Sequence, residues 1–186
     1  MIEKITTDRL IIRTHGPEIS NELLKFYLDN QELFDKFDPV LTDNFYTEEF
    51  QRKSLIYEDN EIRNGVAMHL YVYLKEDPET IIGNIDFFRI RPNPFYSTIL
   101  SYRFHKDYHN KGYATESIRA AINNMFENYN IHRIEARIAP DNTPSLKLVE
   151  RLNFRYEGRE FESVYIHNTF KDHLRYSFVR SQLDNK

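Results

Sequence analysis

The 186-residue chain has no cysteine and no tryptophan, and holds only five glycines and seven prolines. Without cysteine there is no disulfide, no thiolate metal site and no cysteine nucleophile, and the composition fits a reducing compartment. No apolar run approaches the roughly 18 residues of a membrane span. Asp8, Arg9 and Arg13 interrupt the opening stretch MIEKITTDRLIIRTHG where a signal peptide needs an unbroken apolar segment. The expectation is a cytoplasmic protein with no membrane association. A dense cationic surface is missing as well: 25 Lys and Arg face 29 Asp and Glu, a formal net charge of −4. That argues against a general nucleic-acid binder, whose phosphate contacts need basic surface.

What is abundant is aromatic: 14 Phe and 13 Tyr must supply much of the core. The length suits one domain, residues 1–186, and no repeat or linker divides it. Periodicity predicts a first strand over Arg9–Thr14, then polar helices over about Glu18–Asn30 and Thr47–Arg63. Val66–Lys75 and Ile81–Ile90 read as a hairpin across the EDPET turn, and Ser97–Phe104 as a further strand. A helix follows Gly112, with Ala114, Ile118, Ala121, Ile122, Met125 and Phe126 on its buried face. A strand over His132–Ala139 leads to a second helix, capped by Asn142 or Thr143 with Pro144 in its first turn. FRYEGREF and YIHNTFKDHLRYSFV close the chain as two strands joined by a turn. The order implies an α/β fold with a mixed sheet and helices on both faces.

The sequence around Gly112 carries the chemistry. A strand, a short loop and a helix N-terminus form a ready phosphate site, because the first amides of a helix lack internal partners and the macrodipole favours anions. Gly112 lets a diphosphate approach the backbone, Asn110 tolerates a left-handed conformation and Lys111 adds a cation. Taken alone, one glycine before a helix is weak evidence.

A second motif strengthens it. HNKGYATESI followed by HRIEARIAPDNTPSLKLVERLNFRYEG resembles the GNAT acetyltransferases, in particular the branch that includes ribosomal-protein N-terminal acetyltransferases. His109-Asn110-Lys111-Gly112-Tyr113-Ala114 stands where that family has a Gln or Arg, two residues, Gly, one residue, then Gly or Ala. About thirty residues on, Asn142 and Ser145 form its Asn-x-x-Ser, followed by a helix and an EG turn; TDRLIIR also looks like that branch. The resemblance implies the GNAT fold, a mixed sheet of about seven strands with helices on both faces. His109 departs from the family Gln or Arg; should its side chain matter, cofactor affinity would vary with pH near 6.5. A plain surface histidine is the other reading.

The same resemblance implies acetyl-CoA as co-substrate, its pyrophosphate on His109–Thr115 and its pantetheine arm along the splayed edge of Ser101, Tyr102, Arg103 and Phe104. Asn142 would lie near the thioester and Ser145 near the sulfur. With no cysteine, an acetyl-cysteine intermediate is ruled out, and direct attack by a primary amine is the expected mechanism. An α-amine with a pKa of about 7.8 supplies neutral nucleophile far more readily than a lysine at about 10.4. Glu135, aligned with a glutamate that related enzymes use, is the candidate base, its pKa raised by an apolar strand; a structural glutamate is the alternative. Ser145 is the candidate acid, with Tyr102 a third group of interest.

The acceptor expected is a primary amine, a basic protein N-terminus among the possibilities. Small amines and a non-catalytic acyl-CoA-binding module stay open, as does monomer or homodimer. An acidic run, Asp29, Glu32, Asp35, Asp38, Asp43, Glu48 and Glu49 against Lys36, would steer a cationic acceptor if it rims the site. No metal site is expected; the string His105, Asp107, His109 is incomplete as a ligand set.

Overall fold

A computed structural model describes residues 3–39, 41–42 and 44–183. Eight strands form one sheet: β1 (Lys4–Thr6), β2 (Leu10–Arg13), β3 (Met68–Leu74), β4 (Gly83–Arg91), β5 (Ser97–Phe104), β6 (Arg133–Ile138), β7 (Arg155–Ile166) and β8 (Thr169–Val179). Their order across the sheet is β1-β2-β3-β4-β5-β6-β8-β7. Every neighbouring pair is antiparallel except β5 and β6. Parallel neighbours need a crossover, and the helix after Gly112 provides it. The helices are α1 (Ser20–Asp29), α2 (Gln31–Phe34), α3 (Glu48–Arg63), α4 (Tyr113–Asn128) and α5 (Thr143–Arg151).

Strand β3 shows how the sequence builds two layers. Its residues are all buried, but alternate side chains go to opposite faces. Met68, Leu70, Val72 and Leu74 join the main core with Ile118, Ile122, Met125 and Phe126 of α4 and Leu148 and Val149 of α5. Tyr71 and Tyr73 enter a smaller cluster with Leu23 and Phe26 of α1 and Leu55 of α3. The expected aromatic core is there: Phe126 stacks on Phe178 at 5.9 Å, and Phe154 packs on Phe178 at 5.5 Å.

Several predicted boundaries need correction. The sequence reading missed β1, a three-residue edge strand too short to show a period, and it missed α2. The closing strands meet at His167 and Asn168, both with positive φ, rather than between FRYEGREF and YIHN. The EG of Glu157-Gly158 is no turn: a register shift between Tyr156 and Gly158 marks a bulge inside β7.

Gly83 begins β4 against the end of β5. A Cβ there would lie 2.5 Å from the Phe104 ring and 2.8 Å from the Arg103 carbonyl oxygen, distances that force movement. Gly83→Ala should therefore destabilise the fold by about 1–3 kcal/mol. Urea unfolding reads this, and an unchanged midpoint would show that Phe104 moves aside without penalty.

Candidate active site

The parallel pairing of β5 with β6 runs from Ser97–Arg133 to Leu100–Ala136 and goes no further. Beyond it, Ser101–Phe104 of β5 and Arg137–Ile138 of β6 diverge, leaving backbone hydrogen-bonding groups open on the facing edges. The fork opens into a cavity of about 990 Å³. At its outer end stands the N-terminus of α4. Gly112 caps this helix at φ 83°, a left-handed conformation, after Asn110 at φ 61°. The Glu116 amide closes the first turn on the Gly112 carbonyl at 3.1 Å. The amides before it have no partner within the helix and face the loop.

An arginine from the other end of the chain holds this loop in shape. Arg9 donates to the Lys111 carbonyl at 3.0 Å, pairs with Glu116 at 2.6 Å, and lies over the Tyr113 ring at 4.5 Å. Burial alone would push the Glu116 carboxyl up, but hydrogen bonds from Thr7 and Arg9 outweigh it and hold it below the usual range. Nothing local in TDRLIIR assigns Arg9 this task. Its role was legible only through a contact more than a hundred residues away in sequence.

Most expected binding residues do line the cavity: Ser101, Tyr102, Arg103 and Phe104 on β5, and His109, Asn110 and Gly112 in the loop. Tyr113, Ala114 and Thr115 follow from α4, and Asn142 and Ser145 from the start of α5. Lys111 does not line it; its ammonium lies 5.2 Å from the centre of the Tyr108 ring. His109 turns inward, Nε2 donating to the Phe104 carbonyl at 2.9 Å, so its ring braces the loop from beneath. Four cations to which no local motif points, Arg119, Arg137, Lys147 and Arg151, also line the cavity; Arg151 reaches Thr115 Oγ1 at 3.4 Å.

Asn142 caps α5 as its position predicts, its Oδ1 accepting the Ser145 amide at 3.2 Å. Tyr102 donates to the Ser145 carbonyl at 3.4 Å, and burial pushes its phenol up to about 12, so it remains a proton donor at neutral pH.

Glu135 is a correction. It does not line the cavity, and its surroundings are cationic rather than apolar: Arg133 donates to it at 3.0 Å and Arg91 lies at 3.6 Å. Its strand position faces it away from the main core, toward an arginine cluster that also engages Glu157.

Of the acidic run, Asp38 alone lines the cavity among the described residues, and Arg103 pairs with it at 2.7 Å. Asp35 accepts from Tyr46, Asp29 pairs with Lys25 and Glu49 with Lys53. Asp43 lies outside the described residues. The run is therefore largely paired rather than a free rim. His105, Asp107 and His109 are likewise engaged separately: His105 Nδ1 accepts the Asp107 amide while His109 reaches Phe104.

Beneath Arg103 a buried polar chain enters the sheet. Arg103 lies 4.0 Å from Asp86, Asp86 binds His69 Nδ1 at 2.8 Å, and His69 Nε2 reaches Glu61 at 3.1 Å. Burial alone would lower His69, but the Asp86 hydrogen bond and the surrounding carboxylates raise it to about 9. Burial pushes neighbouring Glu58 up to about 7, against the pull of His69 and of the Tyr71 hydroxyl at 2.6 Å.

A forked parallel pair inside a mixed sheet, with a left-handed glycine at the helix mouth, defines a class of acyl-group transferase. Residues 9–155 match the model of the GNAT acetyltransferase domain, and the chain belongs to that family of acyltransferases. It is 27% identical over 154 residues to the probable N-acetyltransferase YjcK of Bacillus subtilis strain 168, covering 83% of this chain and 84% of that one. Over 173 residues it is 29% identical to the ribosomal protein uS5-alanine N-acetyltransferase of Escherichia coli K12, covering 92% and 88%. Among solved structures, Mycobacterium smegmatis RimJ in complex with CoA-disulfide superposes with a TM-score of 0.89 at 18% identity, covering 98% of this chain and 88% of that one.

Proposed function

We propose that the protein transfers the acetyl group of acetyl-CoA directly to a primary amine, and that the amine is the α-amine of a protein N-terminus. The observation that carries this reading is the fork between β5 and β6 leading to the Gly112 loop. Its free edge suits an amide-bearing arm, which can pair with Ser101–Phe104 as an added strand would. The helix end suits a diphosphate, and Arg119, Lys147 and Arg151 line the same cavity with three positive charges. A Cβ at Gly112 would crowd this approach.

In this reading Asn142 holds the first turn of α5 beside the thioester, and the Ser145 hydroxyl donates toward the departing sulfur. Glu135 is given no part in proton transfer, because two arginines bind its carboxylate. The absence of cysteine leaves direct attack as the route. Preference for an α-amine follows from its lower pKa, and it is supported by the relative that acts on a ribosomal protein alanine.

Release of CoA thiol tests this, and the chain has no cysteine to react with the thiol reagent. Peptides beginning with Ala or Ser should release thiol, and the same peptides with blocked N-termini should not. Release with polyamines or aminoglycosides alone would reassign the acceptor to a small amine. Silence with every acceptor, with no thermal shift by acetyl-CoA, would remove the reading altogether.

A further inference from the structure

Within the transfer proposed above, on which this inference rests, we propose that His173 is the general base that takes the proton from the acceptor ammonium. His173 lies on β8 directly before Leu174, whose pairing with Ile138 ends the β6–β8 ladder, beside the end of β6 that has left β5. Adjacent strands are about 4.8 Å apart, so the ring stands one strand from the fork. It lines the same cavity as Ser101, Ser145 and Asp38, and it is 7% exposed.

The two carboxylates that line the cavity, Asp38 and Glu116, are already occupied, and so are Glu160 and Glu135 on the neighbouring strands. Asp38 is held by Arg103, Glu116 by Arg9, Glu160 by Arg137 and Arg175, and Glu135 by Arg133 and Arg91. A carboxylate bound to guanidinium is a weak base, since the pairing stabilises its charged form. His109 commits Nε2 to the Phe104 carbonyl.

His173 differs in both respects. Its Nδ1 faces Ser163 Oγ at 3.3 Å, and Ser163 is itself aimed at the Lys171 carbonyl at 3.5 Å. The serine proton directed to that carbonyl leaves a lone pair for Nδ1–H, which keeps the proton on Nδ1 and the lone pair on Nε2. No hydrogen bond engages Nε2 among the described residues. Burial lowers the imidazole below its ordinary value, more than the Lys171 carbonyl and Glu160 on β7 raise it; Arg137 on β6 lowers it further and Asp172 raises it. The ring is therefore a free base at neutral pH.

The steps balance. The ammonium gives one proton to Nε2, and the neutral nitrogen attacks the thioester carbonyl. The C–N bond forms as the C–S bond breaks, a second nitrogen proton reaches the sulfur by relay through the Ser145 hydroxyl, and His173 returns its proton to water.

Two measurements on the full chain decide it. For His173→Gln, kcat at saturating acetyl-CoA and N-terminal peptide should fall by about 100-fold or more, with the calorimetric Kd for acetyl-CoA unchanged. The acid limb of log kcat/KM against pH should keep a slope of one but move to higher pH, from the ionisation of His173 to that of the acceptor amine at about 7.8. Glu135→Gln should keep the wild-type acid limb. A His173→Gln enzyme with wild-type kcat and an unmoved acid limb, or a moved limb in Glu135→Gln instead, overturns the assignment. Nitrogen-15 NMR of the unaltered protein gives an arm that needs no variant. His173 should titrate below the ordinary histidine value with Nε2 unprotonated, and the opposite tautomer overturns the proposal. Wild-type silence toward every acceptor would instead remove the transfer reading beneath it.

Discussion

Gly112→Ala should weaken acetyl-CoA binding by about tenfold or more, since every 1.4 kcal/mol is tenfold. At φ 83° and ψ −3° an L-residue occupies the left-handed region at a penalty of about 1–2 kcal/mol. The new Cβ would also stand 3.3 Å from Arg9 Nη2, the group that pairs with Glu116. The loop then has two poor choices. It can keep its shape with a methyl group where a diphosphate must approach, or relax and turn its amides away. Calorimetry measures the Kd, and thermal melting should show a loss of a few degrees, at about 2–4 °C per kcal/mol for a chain of this size. Gly158→Ala is the matched comparison: its φ is 145° and nothing lies within 4 Å of the added Cβ. It should lower the melting temperature and leave acetyl-CoA affinity alone. Equal affinities in wild type and Gly112→Ala would mean that the helix end binds nothing.

The second large effect is expected in the buried chain below Arg103. His69→Leu removes one partner of Asp86, a carboxylate 8% exposed that among the described residues keeps only Asn84 at 2.7 Å and Arg103 at 4.0 Å, and breaking such a buried pair costs about 3–5 kcal/mol. The double variant His69→Leu with Asp86→Leu should recover much of that loss, since no charge is then left buried alone. The pH dependence has a definite sign. His69 is raised to about 9 in the fold, so its contribution is complete below the unfolded value of about 6.5 and lost as pH rises through 9. Glu58, raised to about 7, acts in the same direction, from about 4.5 upward. Chemical unfolding of the wild type should show stability declining from about pH 5 to pH 9. In His69→Leu the upper part of that decline should vanish. A parallel decline in both proteins would place its origin elsewhere.

How much the chain declares in advance depends on the range of the interaction. Ser97–Phe104 is read from sequence with the bounds it has in the structure, because its apolar run ends at a charged loop. Asn142 and Pro144 announce α5 through a cap formed within three residues. The Gly112 loop is legible for the same reason, its left-handed residues being Asn and Gly. The His167–Asn168 turn was missed because neither residue is glycine, although both take positive φ. Glu135 was misjudged because strand alternation gives the face of a residue but not its neighbours. Arg91 and Arg133 reach it from β4 and from its own strand, and only the sheet order brings them together. Arg9 is legible to no local rule, since its partners lie more than a hundred residues away, and His173 is brought beside the fork only by the pairing of β6 with β8.

The fork has a mechanical meaning as well as a chemical one. In the backbone ladder, the five strands on one side and the three on the other are joined by only four residue pairs, from Ser97–Arg133 to Leu100–Ala136. The sheet carries a built-in seam, where amides should exchange with solvent sooner than those of β3, which pairs with β4 over Met68–Val72 and with β2 over Tyr71–Leu74. A molecule lodged in the fork sutures that seam with the hydrogen bonds the strands do not make. Acetyl-CoA at a hundred times its Kd would add about 2.7 kcal/mol to the folded state, and the slowing of exchange should centre on Ser101–Phe104.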